Sequence, residues 1–168
     1  GRFLNMTISL KHMGRRTGAV LVSLLLLLTL AVSASAAAVK MTVGVRFWRE
    51  SGDKESMADS AVDTTREATL TRQPNGTFTL ELPVKQLSSM NMTGRLTGIA
   101  IGEVNYDGTL SGDLSDGTAV LTLKNLPASV LTGSDSNKAL AVTCSIKMDT
   151  ILLGDITTSA KMSIWVER

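Results

Sequence analysis

Ala68-Thr69-Leu70-Thr71-Arg72-Gln73-Pro74-Asn75-Gly76-Thr77-Phe78-Thr79-Leu80-Glu81-Leu82-Pro83-Val84 is the stretch that decides the fold. Ala68 and Leu70 alternate with threonines before the break at Pro74-Asn75-Gly76. Phe78, Leu80, Leu82 and Val84 then share one face of a second run. A period of two places apolar side chains on one side of a strand. Proline presets φ, and Asn-Gly tolerates positive φ, so the two runs join as a β-hairpin. Pro83 has no N–H to give a ladder and belongs at a strand end or edge.

Upstream, Val39, Met41, Val43, Val45 and Phe47 alternate with Lys40, Thr42, Gly44 and Arg46, which is another half-buried strand. Trp48 falls on the face opposite Phe47. The polar run Arg49 to Glu55 ends this strand. Ser56 can cap a short helical turn that uses Ala58 and Ala61. Downstream, Leu96, Ile99 and Ile101 mark a strand among Gly94, Gly98 and Gly102, glycines that suit bulges or close backbone approach. Asp107-Gly108 and Asp116-Gly117 are turn signals, with a short strand between them. Ala119, Leu121 and Leu123 form the next strand, closed by Pro127. Leu140, Val142, Cys144, Ile146 and Met148 point inward in the strand after that. Ala160, Met162, Ile164 and Val166 point inward in the last, with Lys161, Ser163 and Trp165 outward. The expected fold is therefore all-β: an Ig-like antiparallel β-sandwich of about eight strands, with a short 3₁₀ or helical turn after the first.

The chain begins differently. Arg15 and Arg16 precede an apolar run from Leu21 to Val32, and small residues Ser33 to Ala38 follow. Basic residues, a short apolar core and an Ala-x-Ala exit make a secretory signal peptide over residues 1–36, with cleavage expected after Ala36. Four of the 17 basic residues and none of the 15 acidic ones precede that point. Residues 37–168 thus hold 13 bases and 15 acids, a net charge of −2, with no basic surplus for nucleic acid. They are expected to form one secreted domain without stable membrane insertion.

Inventory excludes much chemistry. His12, the one histidine, lies in the signal, and Cys144 is the one cysteine. A histidine-based triad, a histidine-ligated metal and an internal disulfide are all excluded. Asp107, Asp113, Asp116, Asp135, Asp149 and Asp155 sit mostly in turns, where the carboxylate bonds nearby backbone. No enzymatic activity and no metal site are expected. Met57, Met90 and Met92 fit no strand period. Gathered at a rim they form an adaptable apolar contact surface. Ile151-Leu152-Leu153 places apolar residues where a polar hairpin tip belongs, which marks either a tip folded back onto the sandwich or a ligand- or partner-facing surface.

Several of these elements, in order, resemble the near-iron-transporter (NEAT) domains of Gram-positive surface and secreted proteins. The resemblance rests on the strand Met41 to Trp48, on Lys54-Glu55-Ser56-Met57-Ala58-Asp59-Ser60-Ala61, on Ala68-Thr69-Leu70 and on Asn75-Gly76-Thr77-Phe78-Thr79-Leu80. Gln86 to Ile101 is similar to the middle of that family. Residues 39–102 carry the resemblance, and 138–166 share only its pattern. It implies that Ser56-Met57-Ala58 forms a 3₁₀ turn over a haem pocket. Haem-binding members hold iron through a tyrosine in the last hairpin, with a second four residues on. This chain's one tyrosine, Tyr106, lies elsewhere, and Met148 to Trp165 contains none. The resemblance is thus to a divergent member without the haem-ligating tyrosines.

The expected function is that of a secreted, non-enzymatic binding module at or near the cell surface. Its ligand-binding residues are expected to be Trp48, Ser56, Met57, Ile151, Leu152 and Leu153. They would contact haem without tyrosine ligation, a haemoprotein or another surface protein. The alternative is an adhesive, carbohydrate-binding or structural cell-envelope sandwich, for which an exposed pair formed by Trp48 and Trp165 is the feature to seek.

Overall fold

The computed structural model describes residues 37–89, 91–150 and 154–167. Its strands are β1 (Val39–Arg49), β2 (Ala68–Arg72), β3 (Phe78–Pro83), β4 (Leu87–Ser89), β5 (Met92–Ile101), β6 (Val104–Asp107), β7 (Thr109–Ser111), β8 (Val120–Leu126), β9 (Leu140–Met148) and β10 (Asp155–Val166). The fold is the expected all-β sandwich. The described residues form ten strands, because the connections at Leu87 and Val104 also pair as short strands. All pairings in the sheet are antiparallel, in the order β4-β5-β9-β10-β1-β2-β3-β8-β7, with β6 also on β5.

The hairpin from β2 to β3 forms as its turn residues dictate. The Gly76 N–H donates to the Gln73 carbonyl at 2.9 Å, the Gln73 N–H to the Thr77 carbonyl at 2.7 Å, and Gly76 has φ +88°. Only a residue without a β-carbon adopts that φ freely.

β1 folds the sheet in two. Val39 to Val43 pair with β2, and Val43 to Arg49 pair with β10. Only Val43 belongs to both ladders. Beyond it the chain leaves β2, so β1 joins a β2-β3-β8-β7 layer to a β10-β9-β5 layer. The inward faces meet in one core that includes Phe47, Leu70, Leu80, Leu121, Ile146 and Met162. Burying side chains of this size contributes about 1.5–3 kcal/mol each before entropy is counted.

Two inward assignments fail at the margins. Val39 and Val166 are both 51% exposed. Val39 pairs with Arg72 at the last rung of its ladder. Val166 lies beyond Met162, the last residue that β10 pairs with β9. Neither has a strand above it to complete the burial. Conversely, Ser163 points outward from β10 yet is fully buried. Gly98 lies at a bulge in the pairing of β5 with β9, and a β-carbon there would stand 2.6 Å from the Tyr106 carbonyl oxygen.

Candidate functional site

After β1 the chain doubles back on the edge that β2 has left. The Arg49 N–H donates to the Lys54 carbonyl at 2.7 Å, and the Ser56 N–H to the Phe47 carbonyl at 2.9 Å. A 3₁₀ turn follows at Met57–Ala61. The Ser56 hydroxyl accepts from the Ala58 N–H at 3.2 Å, the capping role expected of it. The Asp59 carboxylate accepts the Phe47 N–H at 2.8 Å and so ties the turn back to β1. Burial raises the Asp59 pKa above its ordinary value, against the lowering effects of the Phe47 N–H and of Arg46. The far end of the turn is fastened where the Lys85 N–H donates to the Ala61 carbonyl at 2.9 Å and Val62 bridges Val84. Ala58 and Ala61 are fully buried, so the turn is part of the core wall.

Met57 opens this turn and is half-buried against the core. The turn packs on β1, β4 and β5. β4 pairs only with Met92–Gly94, and Gly94 stands opposite Met148 of β9. Met92, half-buried, and Met148, buried, therefore lie at the end of the sandwich that the turn covers. A β-carbon at Gly94 would stand 2.9 Å from the Met148 sulfur, so glycine makes room for that thioether. Ile156, opposite Ile146 on β10, is half-buried against the same core. Ser56, Met57, Met92, Met148 and Ile156 thus border the core, which the turn and the start of β10 flank.

Trp48 is not among them. Its indole N–H donates to the Ser163 hydroxyl at 2.9 Å on the outer face of the sheet. The Arg46 guanidinium carbon sits 5.4 Å from the centre of its ring. One polar atom and one ring face are committed to the protein itself. Trp48 and Met57 stand on opposite sides of β1, although nine residues apart in sequence. Ile151, Leu152 and Leu153 lie outside the described residues, as does Met90. Trp165 shares the outer face with Trp48 and lies flat over Gly44, where a β-carbon would be 2.3 Å from its ring. Both indoles are half-buried.

Burial pushes the Cys144 thiol up to about 12. Asp113 accepts the Ser115 N–H at 2.9 Å and Asp116 the Thr118 N–H at 3.0 Å, which is turn chemistry. No group of three or more metal-ligating side chains gathers among the described residues. No described helix is long and apolar enough to cross a membrane. Tyr106 lies on β6, opposite Ile99 and packed against the core, and not on β9 or β10.

No family model matches this sequence, and no curated protein matches it. Among solved structures, the chain is similar to the NEAT5 domain of IsdX2, a B. anthracis hemophore in complex with heme, and to a point mutant of that domain, also with heme. Each is 10% identical with a TM-score of 0.48, over 77% of this chain and 98% and 97% of theirs. No residue role transfers between chains so distant.

Proposed function

We propose that residues 37–168 form an exported, non-enzymatic binding module and that residues 1–36 are the signal that exports it. The observation that carries the reading is the methionine-bordered end beneath the Met57–Ala61 turn. Met57 and Met92 are half-buried against the core, and Met148 is buried in it. Thioethers adapt to flat or irregular apolar partners at little conformational cost. The residue set suits contact with an apolar face, such as a porphyrin ring or an apolar patch on a haemoprotein or other surface protein. The inward residues of β9 and β10 nearest this end are Met148, Ile156 and Thr158, none of which supplies an anionic oxygen. Porphyrin binding here is therefore without a tyrosinate or carboxylate ligand from these residues.

Titration of the protein with hemin tests the porphyrin branch. The expected result is a Soret shift that weakens on Met57→Ala while the fold is kept. Absence of any shift, together with no effect of Met57→Ala, removes that branch and leaves a protein partner. The rival carbohydrate reading has less support, because Trp48 spends its N–H on Ser163 and a ring face on Arg46.

A further inference from the structure

Where β1 parts from β2, a cleft of about 510 Å³ opens between β1 and the connection that leads into β2. That volume is within the roughly 300–1,000 Å³ typical of ligand sites. Its floor is the backbone of β1 from Thr42 to Arg46, and its far wall is the connection from Val62 to Ala68. Trp165 and Glu167 close one side.

The floor carries an unspent pair of hydrogen-bonding groups. In an antiparallel ladder, alternate residues direct both N–H and C=O to the same edge. Phe47 directs its pair away from β10, to Asp59 and Ser56. Ile164, the partner of Val45, likewise spends its pair away from β1, on Thr132 and Gly133. Val45 has the parity of Phe47, so its N–H and C=O face the edge that β2 has left. Val43 is paired with Ala68 on that edge, but no group among the described residues bonds the Val45 backbone there. The interval from Val43 to Phe47 is about 13 Å at ~3.3 Å per residue, with a neighbour at each end.

These limits select the occupant. An N–H and a C=O projecting side by side from one extended residue match the same pair on another extended residue. An acetamido group, whose N–H and C=O point in opposite directions, can satisfy only one of them. A long strand is blocked by Ala68 at one end and Ser56 at the other. Charge selects further. Arg66 is closed onto Asp63 at 2.8 Å and onto the carbonyls of Val84 and Ala119. Arg46 lies over Trp48. Glu67 and Glu167 are exposed at the cleft and make no ion pair among the described residues.

We propose that this cleft binds a short peptide in extended conformation, one residue of which pairs with the Val45 N–H and C=O while a lysine or arginine at the next position, on the opposite face, reaches Glu67 and Glu167. The site is separate from the methionine-bordered end and does not depend on what binds there.

The test is titration of the ¹⁵N-labelled protein with acetyl-Ala-Lys-Ala-amide into the millimolar range. The Val45 amide resonance is expected to shift saturably. The same peptide N-methylated at both alanines, which then cannot donate to the Val45 carbonyl from the residue opposite Val45, is expected to leave it unmoved. The paired variant Glu67→Gln/Glu167→Gln changes two exposed side chains and is expected to weaken binding about two- to fivefold. A stationary Val45 resonance in the folded protein overturns the proposal, as does an equal response to the N-methylated peptide. Shifts with N-acetylglucosamine at the Trp165 indole, without a peptide response at Val45, overturn it in favour of a sugar site.

Discussion

The Trp48 indole N–H donates to the Ser163 hydroxyl at 2.9 Å, across the pair of strands β1 and β10, and Ser163 is fully buried beneath it. The pair explains how an outward serine escapes water and why the Trp48 N–H is not free for a ligand. Ser163→Ala leaves the indole N–H without its acceptor. Its expected cost is about 1–2 kcal/mol in urea unfolding followed by tryptophan fluorescence. Trp48→Phe is expected to cost a similar amount, and the double variant less than the sum, since both remove one contact. Additive losses would show that the two residues act independently.

Asp59 holds the 3₁₀ turn to β1 through the Phe47 N–H. Asp59→Ala removes that acceptor and is expected to destabilise the protein by about 1–2 kcal/mol. Hydrogen exchange at the Phe47 amide is expected to accelerate, with β8 amides less affected. Asp59→Asn keeps an acceptor and is expected to retain most of the protection. If the turn binds the partner, Asp59→Ala also weakens hemin or protein binding without touching Met57.

Asp63 provides a pH signature. Hydrogen bonds from Thr65, then from the Arg66 guanidinium, hold its carboxyl at about 2, below the ordinary 3.8. A depressed acid stabilises the fold where it is ionised. That contribution is complete above about pH 5 and is lost as pH falls through the folded value. Allowing for solvent screening it amounts to about 1–2 kcal/mol. Asp63→Asn is expected to lower stability at pH 7 by that amount and to flatten the acid limb between about pH 4 and pH 2. An unchanged acid limb would count against this assignment.

Cys144 sits fully buried on β9, with its thiol pushed up to about 12 by burial. Reaction with a thiol reagent at pH 8 is expected to follow opening of the sandwich and not thiolate chemistry in the folded state. The labelling rate should then rise with urea in step with unfolding. Rapid labelling of the native protein would contradict the burial.

The sequence by itself determined the period of each strand and the position of the principal turns. Asn75-Gly76 made its hairpin, Ser56 capped its turn, and Phe47, Leu80, Cys144 and Met162 went inward. These outcomes depend on residues within a few positions of one another, through backbone φ preferences and alternating burial. What only the tertiary structure decided depends on which strand lies beside which. β1 changes partner at Val43, and no feature of Val43 announces it. That change strands the Val45 backbone at a cleft and gives the freed edge at Phe47 to Ser56 and Asp59. It also brings β10 to β1 in the register that puts Ser163 beneath Trp48. The sequence placed Trp48 and Met57 together on one lip because they are near in the chain. A strand has two faces, and the return of the chain along the edge of β1 set the tryptophan on the outer one and the methionine against the core.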